Sequence, residues 1–429
     1  MSELNRRTFL ATTATTAAAL ATHRAARAAA ASSPNEKVVF AIMGANNRGS
    51  QLATTLAKLP NAEIAYICDC EESAIGKGIA AATSNGGPTP QGVKDYRKAL
   101  DDKHVDALIV AAPNHWHAAA TLTGLAAGKH VYCEKPSSHT PEEGERMIAA
   151  AAKSDRVLAI GLQRRSNPHY LAILDKVRNG AIGKVLYAKS TYYNNRPSIG
   201  HGKQTAPPAS LDYDLWQGPV TSAPYQDNLI PYNWHLFWHY GNSEVGNNGV
   251  HTIDICRWAL GVDYPNKIAA IGSKLRFDDD QQTPDTCNIV ADFDGGRTLV
   301  WEGVSWSPPY KPLSGINIEL RGDAGAIFFE DYAYRLFDAN RKLVEENKKG
   351  TNSWQPHVEN FIAAVRTGAK PNCNIEEGHK STMLAHLGNI AYRTGQPLEI
   401  DATNGHIKNN PAASKYWASE HRPGWFPNA

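Results

Sequence analysis

Two stretches of this chain carry residue types at spacings that could handle a ligand. The first is Gly44-Ala45-Asn46-Asn47-Arg48-Gly49, with Asp69 following 20 residues after Gly49. Glycines in a tight turn let the backbone approach a pyrophosphate, and a helix starting there offers unpaired N–H groups to the anion. An acid about 20 residues further on accepts hydrogen bonds from ribose hydroxyls and repels a 2′-phosphate, which favours NAD over NADP. The match to G-x-G-x-x-G is imperfect, because Asn46 stands where the second glycine belongs. Asn tolerates left-handed backbone angles better than most residues, so the turn is expected to survive there. Alone, the motif also suits an ordinary βα turn, and Asp69 alone suits a strand-end or capping acid; together they point to NAD. The second stretch is Asn247-Asn248-Gly249-Val250-His251-Thr252-Ile253-Asp254. On a helix His251 and Asp254 share a face, and Asn247 precedes His251 by one turn. Imidazole titrates near neutrality and can take a hydroxyl proton as a hydride leaves. A buried histidine paired with Asp254 is the plainer alternative.

The elements that must position these residues can be read from the apolar pattern. Val38–Met43 is an apolar run of strand length, and Leu52, Leu56 and Leu59 mark one face of the helix after it. Ile64–Cys68 is the strand that ends at Asp69. Val105–Ala112 is a buried strand stopping at Pro113-Asn114-His115-Trp116-His117, with a helix expected over Ala118–Ala127. His130–Cys133 ends in Glu134-Lys135-Pro136. Thr140-Pro141-Glu142-Glu143 then has the form of a capping box with proline at the first helical position. Val157–Gly161 is one more strand, followed by Gln163, Arg164 and Arg165. This alternation predicts a doubly wound parallel sheet of Rossmann type. Ligands lie beyond the carboxyl ends of such strands, which nominates Pro113, Asn114, His117, Glu134, Lys135, Gln163 and Arg164 to line a cofactor site. For Lys135 the alternative is a surface ion pair with Glu134; for the arginines, surface ion pairing. No acid or cysteine completes a ligand set around His115 and His117, so no metal is expected.

From about Arg164 the pattern changes. Strands are expected at Val185–Asn194, Lys267–Phe277, Thr286–Phe293, Thr298–Trp306, Ile316–Arg321 and Ala326–Phe329, punctuated by Gly-rich turns. Helices return at Trp354–Thr367 and Ile375–Thr394. The fold class expected is therefore α/β plus α+β: an N-terminal Rossmann domain over 34–162, then a largely antiparallel open sheet with helices over 163–429. Pro231–Tyr240, P-Y-N-W-H-L-F-W-H-Y, offers aromatic faces that stack on sugars, with His235 the expected polar contact; an aromatic core patch or a subunit contact fits equally.

The chain resembles the Gfo/Idh/MocA family of sugar oxidoreductases in G-A-N-N-R-G, A-A-P-N-H-W-H, A-A-G-K-H-V-Y-C-E-K-P, G-L-Q-R-R and N-N-G-V-H-T-I-D-I-C-R-W. The resemblance implies that Lys135 reaches the substrate beside the nicotinamide, in a Lys–Pro bond that is often cis. It implies that His251 holds the acid/base position, with Lys135 its partner in a proton relay. Many members carry Asp where this chain has Asn247, which can still orient a hydroxyl. Arg165 and Asp254 join Asn247 and His235 as expected substrate-side residues. The resemblance further implies that one sheet face covers the cofactor site and the other forms a homo-oligomer interface.

Composition is globular, and a net charge of +2 is too balanced to indicate nucleic acid as partner. No apolar run after the leader suits a membrane anchor. Residues 1–33 read as a twin-arginine signal peptide: Asn5-Arg6-Arg7-Thr8-Phe9-Leu10, an Ala/Thr stretch, then small residues at Ala28–Ala31. An organelle transit peptide or a disordered tail is the alternative. The expected partners are thus a small carbohydrate and the twin-arginine export machinery, and the location periplasmic or extracytoplasmic. That route carries folded proteins to a compartment poor in NAD, so the cofactor is expected to be held tightly. Six cysteines without a C-x-x-C pair are expected as free thiols. Three functions follow as expectations: an exported sugar or cyclic polyol dehydrogenase, a redox-neutral NAD-dependent glycosidase, and a non-catalytic nucleotide- or sugar-binding protein.

Overall fold

The computed structural model of the chain describes residues 37–308, 316–330, 333–348, 350 and 354–427. The leader lies outside the described residues.

The first sheet is built from β1 (Val38–Met43), β2 (Ala62–Cys68), β3 (Gln91–Val93), β4 (Ala107–Val110), β5 (His130–Cys133) and β6 (Leu158–Ile160), in the order β3-β2-β1-β4-β5-β6. Every pairing in it is parallel. The side chains of β1 explain its unbroken apolar run. Phe40 and Ile42 pack on one face with Leu52 and Leu56, while Ala41 and Met43 pack on the other with Trp116 and Met147. Both faces are covered, so neither can be polar. The order reverses at β1, whose neighbours are β2 and β4, and a crevice opens there beyond the strand ends.

One local expectation holds and one is refined. Thr140 and Glu143 form the capping box, and the helix Pro141–Ala152 follows. The helix expected from Ala118 begins earlier, at Asn114, so Asn114 to His117 form its first turn behind Pro113. Proline supplies the turn into the helix without needing an N–H.

The second sheet comprises β7 (Val185–Asn195), β8 (Lys267–Ser273), β9 (Thr286–Phe293), β10 (Arg297–Val304), β11 (Trp306–Ser307), β12 (Ile316–Gly322), β13 (Gly325–Glu330), β14 (Ala333–Asp338), β15 (Leu343–Asn347) and β16 (Leu398–Glu399). Its order is β15-β14-β13-β12-β7-β10-β9-β8-β16, with β11 paired to the end of β7. Neighbours are antiparallel except β7 and β10, which run parallel. Strand β9 alternates buried and exposed residues along its length, the mark of a sheet covered on one face. The helices Val250–Leu260 and Ile375–Thr394 supply that cover, through Ile253, Leu260, Leu384 and Leu387. On the uncovered side Ile271 is 80% exposed and Val290 41%. The strand expected to reach Phe277 stops at Ser273, and β14 and β15 were not anticipated.

Candidate functional site

A cleft of about 780 Å³ opens beyond the first sheet, closed on its other side by loops and turns of the second half of the chain. Its near wall comes from the carboxyl ends of β1, β2, β4 and β5. Gly44 turns at φ +84°, and a Cβ there would meet the Ala111 carbonyl oxygen at 2.6 Å. Gly49 is buried and does not line the cleft; a Cβ on it would sit 1.8 Å from the Gly44 carbonyl oxygen. Its lack of a side chain lets the helix Arg48–Leu56 pack against the turn, rather than making room for a ligand. Asn46 lines the cleft without adopting left-handed angles, contrary to expectation, and its Oδ1 accepts from Lys77 Nζ at 2.7 Å. The turn therefore needs a positive φ only at Gly44.

Asp69 faces the same cleft. Its Oδ2 accepts from the Ala45 N–H at 2.7 Å and its Oδ1 from the Glu71 N–H at 3.0 Å. Burial nonetheless raises its pKa above the ordinary carboxylate value. Oδ1 also accepts from Cys70 Sγ at 3.8 Å, so Oδ2 is the oxygen that keeps a lone pair for a ribose hydroxyl.

Pro113, Asn114 and His117 also line the cleft. Asn114 is 3% exposed, and its Oδ1 has no hydrogen-bond partner. His117 has both ring nitrogens against carbonyls, Pro136 at 2.6 Å and Ala112 at 2.9 Å, so it ties the end of β4 to the turn carrying Lys135. The neighbouring His115 faces the Trp216 carbonyl at 3.0 Å, and burial pushes its pKa down to about 3. These two histidines fasten backbone to backbone.

Glu134 and Lys135 close the near wall. Arg48 Nε donates to Glu134 Oε1 at 2.7 Å, which with Lys135 holds the carboxyl below its ordinary range despite burial. Gly161 makes room for that carboxylate, since a Cβ there would lie 2.8 Å from it. The Lys135–Pro136 bond is cis. Lys135 Nζ crosses the cleft and donates to the Asn247 carbonyl at 2.6 Å. Burial lowers its pKa to about 8, with Glu134 opposing the shift.

The far wall comes from the second half of the chain. Asn247 sits in a π-helical turn, Val245–Gly249, and its Nδ2 donates to the Tyr232 hydroxyl at 3.0 Å. Such turns recur at functional sites because they re-aim one residue out of the helical ladder. Tyr232 and Trp234 line the cleft, and Arg196 Nη2 also donates to the Tyr232 hydroxyl, at 3.3 Å. Neither aromatic was singled out from the sequence, although both fall in the P-Y-N-W-H stretch. A segment from Pro208 to Ile230 contributes Leu211, Trp216 and Tyr225 to the lining. It is pinned just beyond Asp69, where Asp212 N–H donates to the Cys70 carbonyl at 2.9 Å.

Several expected ligand contacts lie elsewhere. His235 is 1% exposed, with Nδ1 at 2.7 Å from the Tyr232 carbonyl and Nε2 at 3.3 Å from Glu244 Oε1, so neither nitrogen is free for a sugar. Arg165 and Asp254 are not on the cleft. They form a buried ion pair at 2.8 Å, and Ser381 Oγ donates to the same Asp254 oxygen at 2.7 Å. Asp254 therefore does not partner His251. Gln163 and Arg164 form a 3₁₀ turn after β6, outside the lining; the Arg164 guanidinium lies 5.4 Å from the Tyr170 ring centre. His251 is not on the lining either. Its Nδ1 is buried without a partner, and burial together with the charges of Lys135, Arg164 and Arg48 drives its pKa well below the ordinary value.

The residues present fit a dinucleotide. The glycine turn and helix start can take a pyrophosphate, Asp69 a ribose, and the unpartnered Asn114 Oδ1 a donor group. All six cysteines are free. Among the described residues no helix is long and apolar enough to cross a membrane.

Comparison with known proteins agrees with this geometry. Residues 38–162 match the NAD-binding Rossmann fold of an oxidoreductase family, and residues 183–426 match that family's C-terminal alpha/beta domain. The chain is 30% identical over 376 residues to the oxidoreductase YrbE of Bacillus subtilis, covering 86% of this chain and 98% of that one. It is 29% identical to inositol 2-dehydrogenase 2 of Saccharopolyspora erythraea, over 84% and 93% of the two chains. A glycosyl hydrolase family 109 protein of the same organism is 29% identical over a shorter stretch, 38% of this chain and 36% of that one. Among solved structures, an aldose-aldose oxidoreductase from Caulobacter crescentus complexed with glycerol shares the fold, with a TM-score of 0.67 at 20% identity over 85% of this chain and all of that one. With both of its domains matched and its glycine turn, Asp69 and Lys135 on one cleft, the chain belongs to the Gfo/Idh/MocA family of NAD-binding oxidoreductases.

Proposed function

We propose that this protein oxidises a secondary hydroxyl of a sugar or cyclic polyol, using an NAD that stays bound through the cycle, outside the cytoplasm. The observation that carries the reading is the position of Lys135. Its ammonium group spans the cleft to the Asn247 carbonyl, in the same cavity as Gly44 and Asp69. Bound NAD would supply the hydride acceptor. Gly44, Asp69 and Asn114 would hold it, and Asn247 and Tyr232 would orient hydroxyls of the substrate.

The chain's own task is then the proton. A carbinol that loses hydride must also lose its hydroxyl proton, and a neutral amine at hydrogen-bond distance can take it. With its pKa lowered to about 8, Lys135 is partly neutral under mildly alkaline conditions, whereas an ordinary lysine is not. His251 lies off the lining, and burial and neighbouring charge, that of Lys135 included, make it a weaker base than this amine, so the proton is taken by Lys135 and passes from there to solvent. Polyol substrates are supported by the similarity to an inositol dehydrogenase, and the aromatic wall of Tyr232 and Trp234 suits a sugar ring.

Export is supported by the twin arginines at Arg6 and Arg7 before Phe9-Leu10. Cofactor retention is supported by the segment pinned across the cleft beyond Asp69. The same retention favours a second reading, in which oxidation, elimination and re-reduction cleave a glycoside with no net NADH; the partial similarity to a glycosyl hydrolase favours it too. One experiment tests both. Native protein is denatured and its released ligand identified by mass spectrometry; undenatured protein is then given myo-inositol or an aryl glycoside without added NAD. Released nicotinamide dinucleotide with polyol-dependent reduction supports the dehydrogenase. Glycoside cleavage supports the second reading. Protein that neither carries nor binds NAD would overturn both.

A further inference from the structure

A second cavity, of about 500 Å³, opens where the helices Pro141–Ala152 and Ile375–Thr394 meet the segment around Lys415 to Glu420. It shares no lining residue with the cofactor cleft. Its floor is polar and buried. Asn242 is 5% exposed and donates from Nδ2 to the His139 carbonyl at 2.9 Å, which leaves Oδ1 unpartnered. His139 is 9% exposed, with Nε2 3.1 Å from the Trp238 carbonyl. A carbonyl must be met by an N–H, so Nε2 is the donor; Nδ1 has no partner within hydrogen-bond distance, although the Gly241 backbone faces the ring. Native interiors rarely leave such acceptors unmet.

The mouth has the opposite character. Arg393 is exposed there, with its guanidinium 3.9 Å from the Tyr416 ring centre and 4.9 Å from that of Trp238. The two rings hold the guanidinium, and no carboxylate is paired with it among the described residues. Lys415 Nζ lies 4.9 Å from the centre of the same Tyr416 ring, and one carboxylate, Glu420, shares the lining. Acceptors at the bottom call for hydroxyl donors, and held cations at the mouth call for an anion. A neutral polyol meets only the first demand, and a bare inorganic anion only the second.

We propose that this cavity is a second ligand site that takes a small polyhydroxylated carboxylate, a sugar acid. Its hydroxyls donate to Asn242 Oδ1 and His139 Nδ1, and its carboxylate rests against Arg393 and Lys415. The site is separate from the redox cleft, and the proposal stands whichever substrate that cleft takes.

The test is calorimetric titration of the NAD-loaded protein with D-gluconate, with sorbitol as the neutral analogue of equal length. Gluconate is expected to bind, sorbitol to bind at least about ten-fold more weakly, and Arg393→Gln to weaken gluconate by about ten-fold, the loss of one charge-assisted hydrogen bond. Nicotinamide content and turnover of Arg393→Gln should match the parent. Lys135→Ala, in the other cavity, should bind gluconate as the parent does. No gluconate binding at millimolar concentration, equal affinity for sorbitol, indifference to Arg393→Gln, or loss of binding in Lys135→Ala would each overturn the proposal.

Discussion

The two walls of the cofactor cleft were built by different rules. On the near wall, Gly44, Asp69, Asn114 and Lys135 follow buried parallel strands near the switch point and line the cavity, whereas Gln163 and Arg164, after the edge strand β6, do not. On the far wall, His235, His251 and Asp254 lie off the lining; of the residues expected there Asn247 lines it, joined by Tyr232 and Trp234. A parallel strand buried on both faces has one polar outlet, its carboxyl end, so the residue after it has little choice of direction. A helix packed on a sheet, or an aromatic loop, offers several directions, and packing decides among them. Strand ends thus reveal a site, whereas composition in a loop reveals only its neighbourhood.

The sharpest way to break this contrast is to remove the near wall's amine. Lys135→Ala is expected to lower turnover by about a hundred- to ten-thousand-fold, the usual worth of a positioned acid/base, with nicotinamide content unchanged. The parent's oxidation rate should rise with pH and level off above about 8. Burial disfavours the ammonium form, so the amine is protonated and inactive as a base below that value and neutral above it. If Lys135→Ala kept near-normal turnover, or the rate fell as pH rose toward 8, the near wall would lose its assigned chemistry.

Arg165 tests the other side of the contrast. If it served substrate, Arg165→Met would raise KM and leave the fold alone. The ion pair with Asp254, nearly sealed from solvent, predicts the reverse. Breaking such a pair leaves a buried charge uncompensated and costs about 3–5 kcal/mol. Denaturant unfolding of the variant should show that loss, and a variant as stable as the parent would refute the structural role. Replacing Asp69 by Ala should have a smaller effect, about ten- to hundred-fold weaker NAD binding, from the loss of hydrogen bonds to a charged acceptor. The freed Ala45 and Glu71 N–H groups no longer face a carboxylate, so discrimination against NADP should narrow. Titration with both dinucleotides checks this.

How much was legible follows from the same physics. The doubly wound sheet could be read because β1 is apolar on both faces, and the capping box at Thr140 because its two reciprocal bonds need only local sequence. Gly49 was legible as a required glycine but not for its reason, which is contact with the Gly44 carbonyl. The pairing of Arg165 with Asp254 joins residues 89 positions apart, and nothing local announces it. The i, i+3 spacing placed Asp254 beside His251, but the carboxylate turned to the stronger partner, a bidentate guanidinium. His235 failed for a related reason: Glu244 and a backbone carbonyl already occupy both nitrogens.

The finest test falls on Tyr232. Its hydroxyl accepts from both Asn247 and Arg196, and its own proton is free to point into the cleft. Tyr232→Phe keeps the aromatic face and removes the oxygen that steadies Asn247. One hydrogen bond of this kind is worth about 0.5–1.5 kcal/mol, so KM for the sugar should rise by roughly two- to ten-fold while nicotinamide content stays level. His235→Gln, although only three residues away, should change KM less, because its imidazole meets Glu244 and not the ligand. A larger KM effect at His235 than at Tyr232 would return the far wall to the arrangement its sequence first suggested.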